Sequence, residues 1–252
     1  MTVLIIILLL TLAEHLYSML LKDGVCSWAN TGCNIGTQLC GVTKDLFVPA
    51  LGVFGMMTSV DLWMPHLFPI PLSALSFVVC LLLTDFLYYV FHRFSHAFAL
   101  PWMLHFVHHS GNKFNLSAGF RSSLPETVLL FVFYSPVLML GFPPQIFWGV
   151  FQIISTYQFM THSSYLKLPR WINYIFVTPS YHKIHHDQDI KNQNSNFGGV
   201  FSIWDRLFGT YVREAENYKP GLKGYQENNL IKIQIDPFLT IGPKLLQKIG
   251  LR

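Results

Sequence analysis

Charge is scarce in this chain. Asp, Glu, Lys and Arg together make up 12% of its 252 residues, about half the share of an ordinary soluble domain. The few cations do not interleave with aromatics in the stripe that nucleic acid requires, which excludes nucleic acid as a partner. Cysteine is sparse too. Cys26, Cys33, Cys40 and Cys80 form no CxxC pair and none lies among the histidines, which argues for reduced structural thiols and against a thiolate metal site. Neither a Gly-x-Ser-x-Gly elbow nor a His-Glu-x-x-His run occurs, so the usual signatures of a serine hydrolase and a zinc peptidase are missing. Met1 to Leu12 carries neither the basic flank nor the small-residue cleavage site of a secretory signal. Met1–Leu21, interrupted by Glu14 and His15, is therefore expected to be a retained membrane anchor.

What is abundant is apolar. Hydrophobic residues reach 52%, Phe alone counts 22, and the mean hydropathy is +0.39. A helix crossing a bilayer needs about 20 mostly apolar residues. Pro71–Phe91 is the strongest such stretch, with Asp85 its only acid, and Leu46–Val60 is a shorter, glycine-containing one. Glu126–Gly141 and Gln145–Thr161 flank Phe142-Pro143-Pro144. Each is about 25 Å long as a helix, so the pair is expected to cross the membrane and return, with Pro136 kinking the first arm. The alternative is two buried helices of a soluble protein. Ile231, Ile233 and Ile235 alternate with Lys232, Gln234 and Asp236, the pattern of a short strand.

The cations orient this arrangement. All of the 17 except Lys22 and Lys44 fall within Arg93–Arg121 or Lys167–Arg252, and the Pro-Pro turn carries none. By the positive-inside rule the face opposite that turn is cytoplasmic, and the Lys22–Lys44 loop is expected on the same side.

Eleven histidines are present, and all but His15 and His66 fall at that one surface. His92 and His96 end the strongest span. His105, His108 and His109 follow Pro101. His162 ends the returning arm. His182, His185 and His186 follow Thr178-Pro179, a helix start with Thr as cap and Pro in the first turn. Residues three and four apart share one helix face, so HxxxH and HxxHH aim two or three imidazoles at one point. Three such helices with His162 supply nine nitrogen ligands, more than one ion accepts and enough for two. Spacing alone leaves iron, zinc, copper and nickel open. Ionisable groups clustered at membrane depth are costly and normally functional. His15 and His66 have no partner in sequence and are expected to be packed or hydrogen-bonded residues. Asp85, two turns before His92, is placed to hold that ligand's second nitrogen. Asn115 and Asn196 are candidates to orient ligands or complete a coordination sphere. Tyr88 and Tyr89 are expected to pack, and Asp205 and Arg206 to pair at the surface.

Asp85-Phe-Leu-Tyr-Tyr-Val-Phe-His92-Arg-Phe-Ser-His96, His105-Phe-Val-His-His109 and Thr178-Pro-Ser-Tyr-His-Lys-Ile-His-His186 resemble the histidine boxes of the fatty acid hydroxylase/sterol desaturase superfamily. Asn196-Phe-Gly-Gly-Val-Phe-Ser-Ile-Trp-Asp-Arg-Leu-Phe-Gly-Thr-Tyr211 resembles its signature tail, so the resemblance runs over 85–211 of a single domain, 1–252. His109-Ser-Gly-Asn-Lys-Phe-Asn-Leu-Ser117 and Arg121-Ser-Ser look closest to the alkylglycerol monooxygenase-like members. The chain departs from these at Gly111-Asn112, where an acid is usual.

The resemblance implies an all-α integral membrane protein, with about four to five transmembrane helices beneath a cytoplasmic histidine-rich helical cap. It implies two iron ions, O₂, electrons from a redox partner or from tetrahydrobiopterin, and a lipid or sterol that is hydroxylated or desaturated. Substrate is expected to enter sideways from the bilayer, in the endoplasmic reticulum of a eukaryote or the inner membrane of a bacterium. A zinc-dependent membrane hydrolase and a non-enzymatic metal-binding membrane protein are the rival classes. The first wants a carboxylate within its histidine motif, and the second wants ligands at mid-membrane.

Overall fold

The computed structural model describes residues 2–48, 52–213 and 218–243. Among these every named element is a helix, and β pairing is confined to three isolated bridges. Two helices are long and apolar enough to cross a membrane: α1 (Thr2–Leu21) and α4 (Ala74–Ala97). Most large side chains of α1 remain exposed, Leu20 by 80%, a contiguous apolar surface that water does not tolerate cheaply.

The expected hairpin forms as α6 (Glu126–Met139) and α7 (Pro144–Met160). Pro144 opens α7 at a position where its missing N–H costs nothing. Within α6, Pro136 leaves the Val132 carbonyl without its helical partner, and the Ser135 hydroxyl donates to that oxygen at 3.3 Å. At 14 residues α6 is about 21 Å long, short of a bilayer's apolar thickness of about 30 Å. Gly141 turns the chain at φ +102°, and a Cβ there would fall 1.9 Å from the Phe68 carbonyl oxygen. Helices α4, α6 and α7 pack around Cys80, Tyr134, Val137, Phe147, Val150 and Ile154.

The structure corrects three expectations. Leu46–Val60 is not one span: α2 (Trp28–Phe47) ends within it and α3 (Val53–Trp63) begins within it, and 49–51 lie outside the described residues. The Lys22–Lys44 loop is largely α2, capped by Ser27, with a polar face of Asn30, Thr31, Asn34 and Thr37 buried in the protein. The isoleucine alternation belongs to a helix, α11 (Leu230–Thr240). Asn229 caps it by accepting from the amides of Ile231 and Lys232, and Ile233 alone of the three is buried, against Cys33 and Val107. A local cap and one anchoring side chain outweigh the period-2 pattern there.

Candidate metal centre

The histidines sit on short, well-capped helices. His92 and His96 lie one turn apart at the end of α4, where Phe98 breaks to an extended conformation and α5 (Ala99–His109) folds back along α4. That reversal sets His105, His108 and His109 opposite His92 and His96. The hydroxyl of Thr178 accepts from the Tyr181 amide and Pro179 opens α8 (Pro179–His185), which carries His182 and His185 and ends at His186. His162 follows α7 directly.

The nine rings gather into two groups. His92, His96, His105, His109 and His185 form one, and His108, His162, His182 and His186 form the other. Within each group one nitrogen per ring lies within 4.8 Å of all the rest. In the five-membered group the Nε2 atoms of His92, His96, His105 and His185, and both nitrogens of His109, are buried without a hydrogen-bond partner. In the four-membered group the Nε2 of His162 stands 3.3 Å from that of His108 and 3.2 Å from that of His182, which is 3.1 Å from that of His186. Nitrogens about 2.0–2.1 Å from one shared ion stand roughly 3.0–3.4 Å apart. The donor set therefore fits a metal in each group.

The second nitrogens are held from outside. The Nδ1–H of His92 donates to the Phe197 carbonyl at 2.9 Å, that of His185 to Ser195 at 2.8 Å, that of His108 to Arg121 at 3.0 Å and that of His162 to Gln158 at 2.8 Å. Each bond fixes the tautomer that turns an Nε2 lone pair inward. Burial, with repulsion from neighbouring imidazoles behind it, holds His108, His109, His182 and His186 well below the ordinary imidazole range and His185 at about 3. Burial pushes His162 down to about 4. The rings are thus neutral at physiological pH, the form that binds metal.

Sequence reasoning missed Glu126. Its carboxylate accepts from His105 Nδ1 at 2.6 Å. The available signal was an acid at the first position of an apolar arm, since ionisable groups at membrane depth rarely lack a role. Arg121 was noticed only as a motif residue. It is fully buried and donates to Val107, Ser110, Asn34 and Glu227, which pins the carbonyl that receives His108.

The three residues expected to support the ligands act differently. Asp85 does not hold an imidazole. Its oxygens accept from the amides of Val200 and Phe201 and from the Trp204 indole at 2.7–3.1 Å, tying the tail to α4. Gly199 makes that approach possible, because a Cβ there would meet Asp85 Oδ1 at 2.8 Å and the Tyr88 ring at 2.7 Å. Asn196, at φ +58°, bonds the Tyr181 and Val212 carbonyls and the Val212 amide. Asn115 caps the 3₁₀ turn Leu116–Phe120 and reaches the Val25 carbonyl.

Asp205 is buried and accepts from Phe197 and Gly198 amides, Tyr181 and Thr210. It is thus part of the tail's interior and not a surface partner of Arg206, which lies against the Tyr174 and Tyr211 rings. Tyr89 packs as expected, on Phe208. His15 packs on Trp28 and bonds Thr31, and His66 pairs with Asp61, both outside the two groups.

A cavity of about 250 Å³ adjoins both groups. His105 and His108 form one wall, and Tyr88, Phe91, Leu130, Tyr134 and Phe151 line its apolar part.

The model of the fatty acid hydroxylase family matches residues 77–210. An alkylglycerol monooxygenase of Danio rerio is 37% identical over 150 residues, 60% of this chain and 33% of that protein. One from Xenopus tropicalis is 31% identical over 216 residues, 82% of this chain and 48% of that protein. The ornithine lipid hydroxylase OlsE of Rhizobium tropici is 26% identical over 237 residues, 93% of this chain and 68% of that protein. The chain thus spans a third to a half of the length of these two alkylglycerol monooxygenases. No solved structure matches it. Histidine boxes, tail and relatives converge: this chain belongs to the fatty acid hydroxylase family.

Proposed function

We propose that this protein is a membrane-embedded oxygenase that hydroxylates a C–H bond of a lipid, with an iron ion in each histidine group as the site of O₂ activation. The observation that carries this reading is the pair of imidazole groups, their inward nitrogens unpartnered or facing one another, beside a cavity with an apolar lining. The relatives named monooxygenase and hydroxylase favour insertion of oxygen over desaturation. They also favour iron over zinc, because zinc has no redox chemistry.

The nine histidines, His92, His96, His105, His108, His109, His162, His182, His185 and His186, hold the metal. The metal pair supplies oxygen activation and removal of electrons from the substrate. The chain supplies placement and a dry site. Phe197 covers His92, His96 and His185 at ring separations of 5.2–5.5 Å, and Phe114 covers His162, His182 and His186 at 5.3–6.4 Å. The cavity wall of Leu130, Tyr134 and Phe151 belongs to the α6–α7 hairpin, which lets an acyl chain reach the site from the bilayer. Helices α1 and α4 and the hairpin are the membrane part, four helices in all, with the histidine cap on the cytoplasmic face. Electrons come from an external donor, a redox protein or a reduced pterin.

Lipid extracts of cells expressing the chain, compared by mass spectrometry with cells expressing His185→Ala, test this. A lipid heavier by one oxygen that depends on His185 is expected. A product lighter by two hydrogens would make the chain a desaturase. A preparation that binds only zinc and consumes no O₂ after iron loading would refute the reading.

A further inference from the structure

A second pocket, of about 630 Å³, opens in the cap on the far side of α8 from the imidazoles. Lys183 and Ile184 reach it from the helix face opposite His182, His185 and His186. Four cations line it, Arg170, Lys183, Arg206 and Arg213, and no carboxylate does among the described residues.

Aromatic rings fix two of these cations. The Arg206 guanidinium lies 4.8 Å from the centre of the Tyr174 ring and 3.9 Å from that of Tyr211, and its Nη2 donates to the Asn173 carbonyl. The Lys183 ammonium lies 4.4 Å over Tyr218. A stacked guanidinium has lost its freedom before any ligand arrives, so its fork is preorganised for a phosphate or carboxylate. Two donors here have nothing to bond: Arg206 Nε and the Tyr218 hydroxyl are both shielded from solvent and unpartnered. Stranding such groups costs about 1–3 kcal/mol each, and an anion with several acceptor oxygens would satisfy both.

The rim identifies the source of that anion. Between residues 166 and 176, just beyond α7, Leu168, Trp171, Tyr174, Ile175 and Phe176 are exposed, Trp171 by 68%, and Lys167 and Arg170 stand among them. Tryptophan, tyrosine and cations in one exposed stretch at the end of a membrane arm mark the headgroup layer. A soluble phosphate needs no such apolar rim.

We propose that this pocket binds the phosphate-bearing headgroup of an anionic membrane lipid and so seats the cap against the bilayer. The inference rests on the membrane embedding proposed above. It assigns a lipid site separate from the cavity at the histidines.

The test uses the full chain in detergent, analysed by native mass spectrometry after loading with phosphatidylglycerol, with phosphatidylcholine of the same chains, or with inorganic phosphate. Phosphatidylglycerol is expected to be retained in preference to phosphatidylcholine. Arg206→Gln with Arg213→Gln is expected to weaken it about ten-fold or more, since each cation near an anionic surface contributes about 1 kcal/mol and 1.4 kcal/mol is ten-fold. Arg170→Gln with Arg213→Gln, which leaves the stacked arginine in place, is expected to weaken it less but measurably.

Equal retention of both lipids would overturn the proposal, as would phosphatidylglycerol binding unchanged in both double variants. Equal retention is also the result if Glu214 and Glu216, which fall in sequence between Arg213 and Tyr218, neutralise the pocket. Inorganic phosphate that displaces phosphatidylglycerol at equal concentration would overturn the lipid as the source. Carbonate-resistant membrane association and iron content of the same preparations report separately on the proposed function. A chain that binds the lipid but no iron would sink that reading alone.

Discussion

The two histidine groups differ in number and in what supports them. Five rings form one and four the other. The larger group is braced by the tail and by a carboxylate: Phe197 and Ser195 receive His92 and His185, and Glu126 receives His105. The smaller is braced by the carbonyls of Arg121 and Gln158. Its cover, Phe114, is held where the Ser164 hydroxyl donates to the Phe114 carbonyl. Glu14 of α1 accepts from Leu116, Ser163 and Ser164 and so fastens the same corner. One group therefore depends on the C-terminal tail, the other on the docking of α1 and α7. A defect in either support should damage one group first.

The largest difference is expected from losing a ligand. In His182→Ala the smaller group keeps three rings, and its metal should be lost while the larger group stays loaded. Product should fall by more than the roughly 10–100-fold typical of losing a supporting contact. His96→Ala leaves four rings in the larger group and should retain more metal than His182→Ala. Equal losses in both variants, measured by elemental analysis, would erase the distinction between the groups.

Next comes Asp205→Ala, which strands four buried donors. At about 1–3 kcal/mol for each unsatisfied group, the loss should lower the thermal midpoint in detergent by many degrees. Partial unfolding should release metal from the larger group first, through Phe197 and His92. Glu126→Ala should cost about 10–100-fold in metal affinity or product, again in the larger group, and Glu126→Gln less, since its amide oxygen still accepts from His105. At the small end, His66→Ala removes an exposed pair with Asp61 and should change stability by less than about 0.5 kcal/mol. Metal content should not move.

The histidine helices were legible because helical periodicity is local: HxxxH and HxxHH state their own geometry once a helix is assumed. The hairpin was legible for the same reason, from two apolar runs around Pro143-Pro144. The supports were not. His92 meets Phe197 across 105 positions, and Asp85 meets Trp204 across 119. No local pattern encodes such pairings, so Asp85 was assigned to the ring nearest in sequence and in fact holds the tail. The strand expectation at Ile231–Ile235 failed because alternation says nothing of the Asn229 cap or of the single hole that Ile233 fills. The length of α2 was missed because its buried face is polar, the reverse of the usual amphipathic signal.

Iron bound per chain, counted in the purified full-length protein and in His182→Ala, tests the central claim most directly. Two groups that each hold an ion predict about two irons in the first and about one in the second. A single iron in the parent protein, or a count that His182→Ala leaves unchanged, would contradict it.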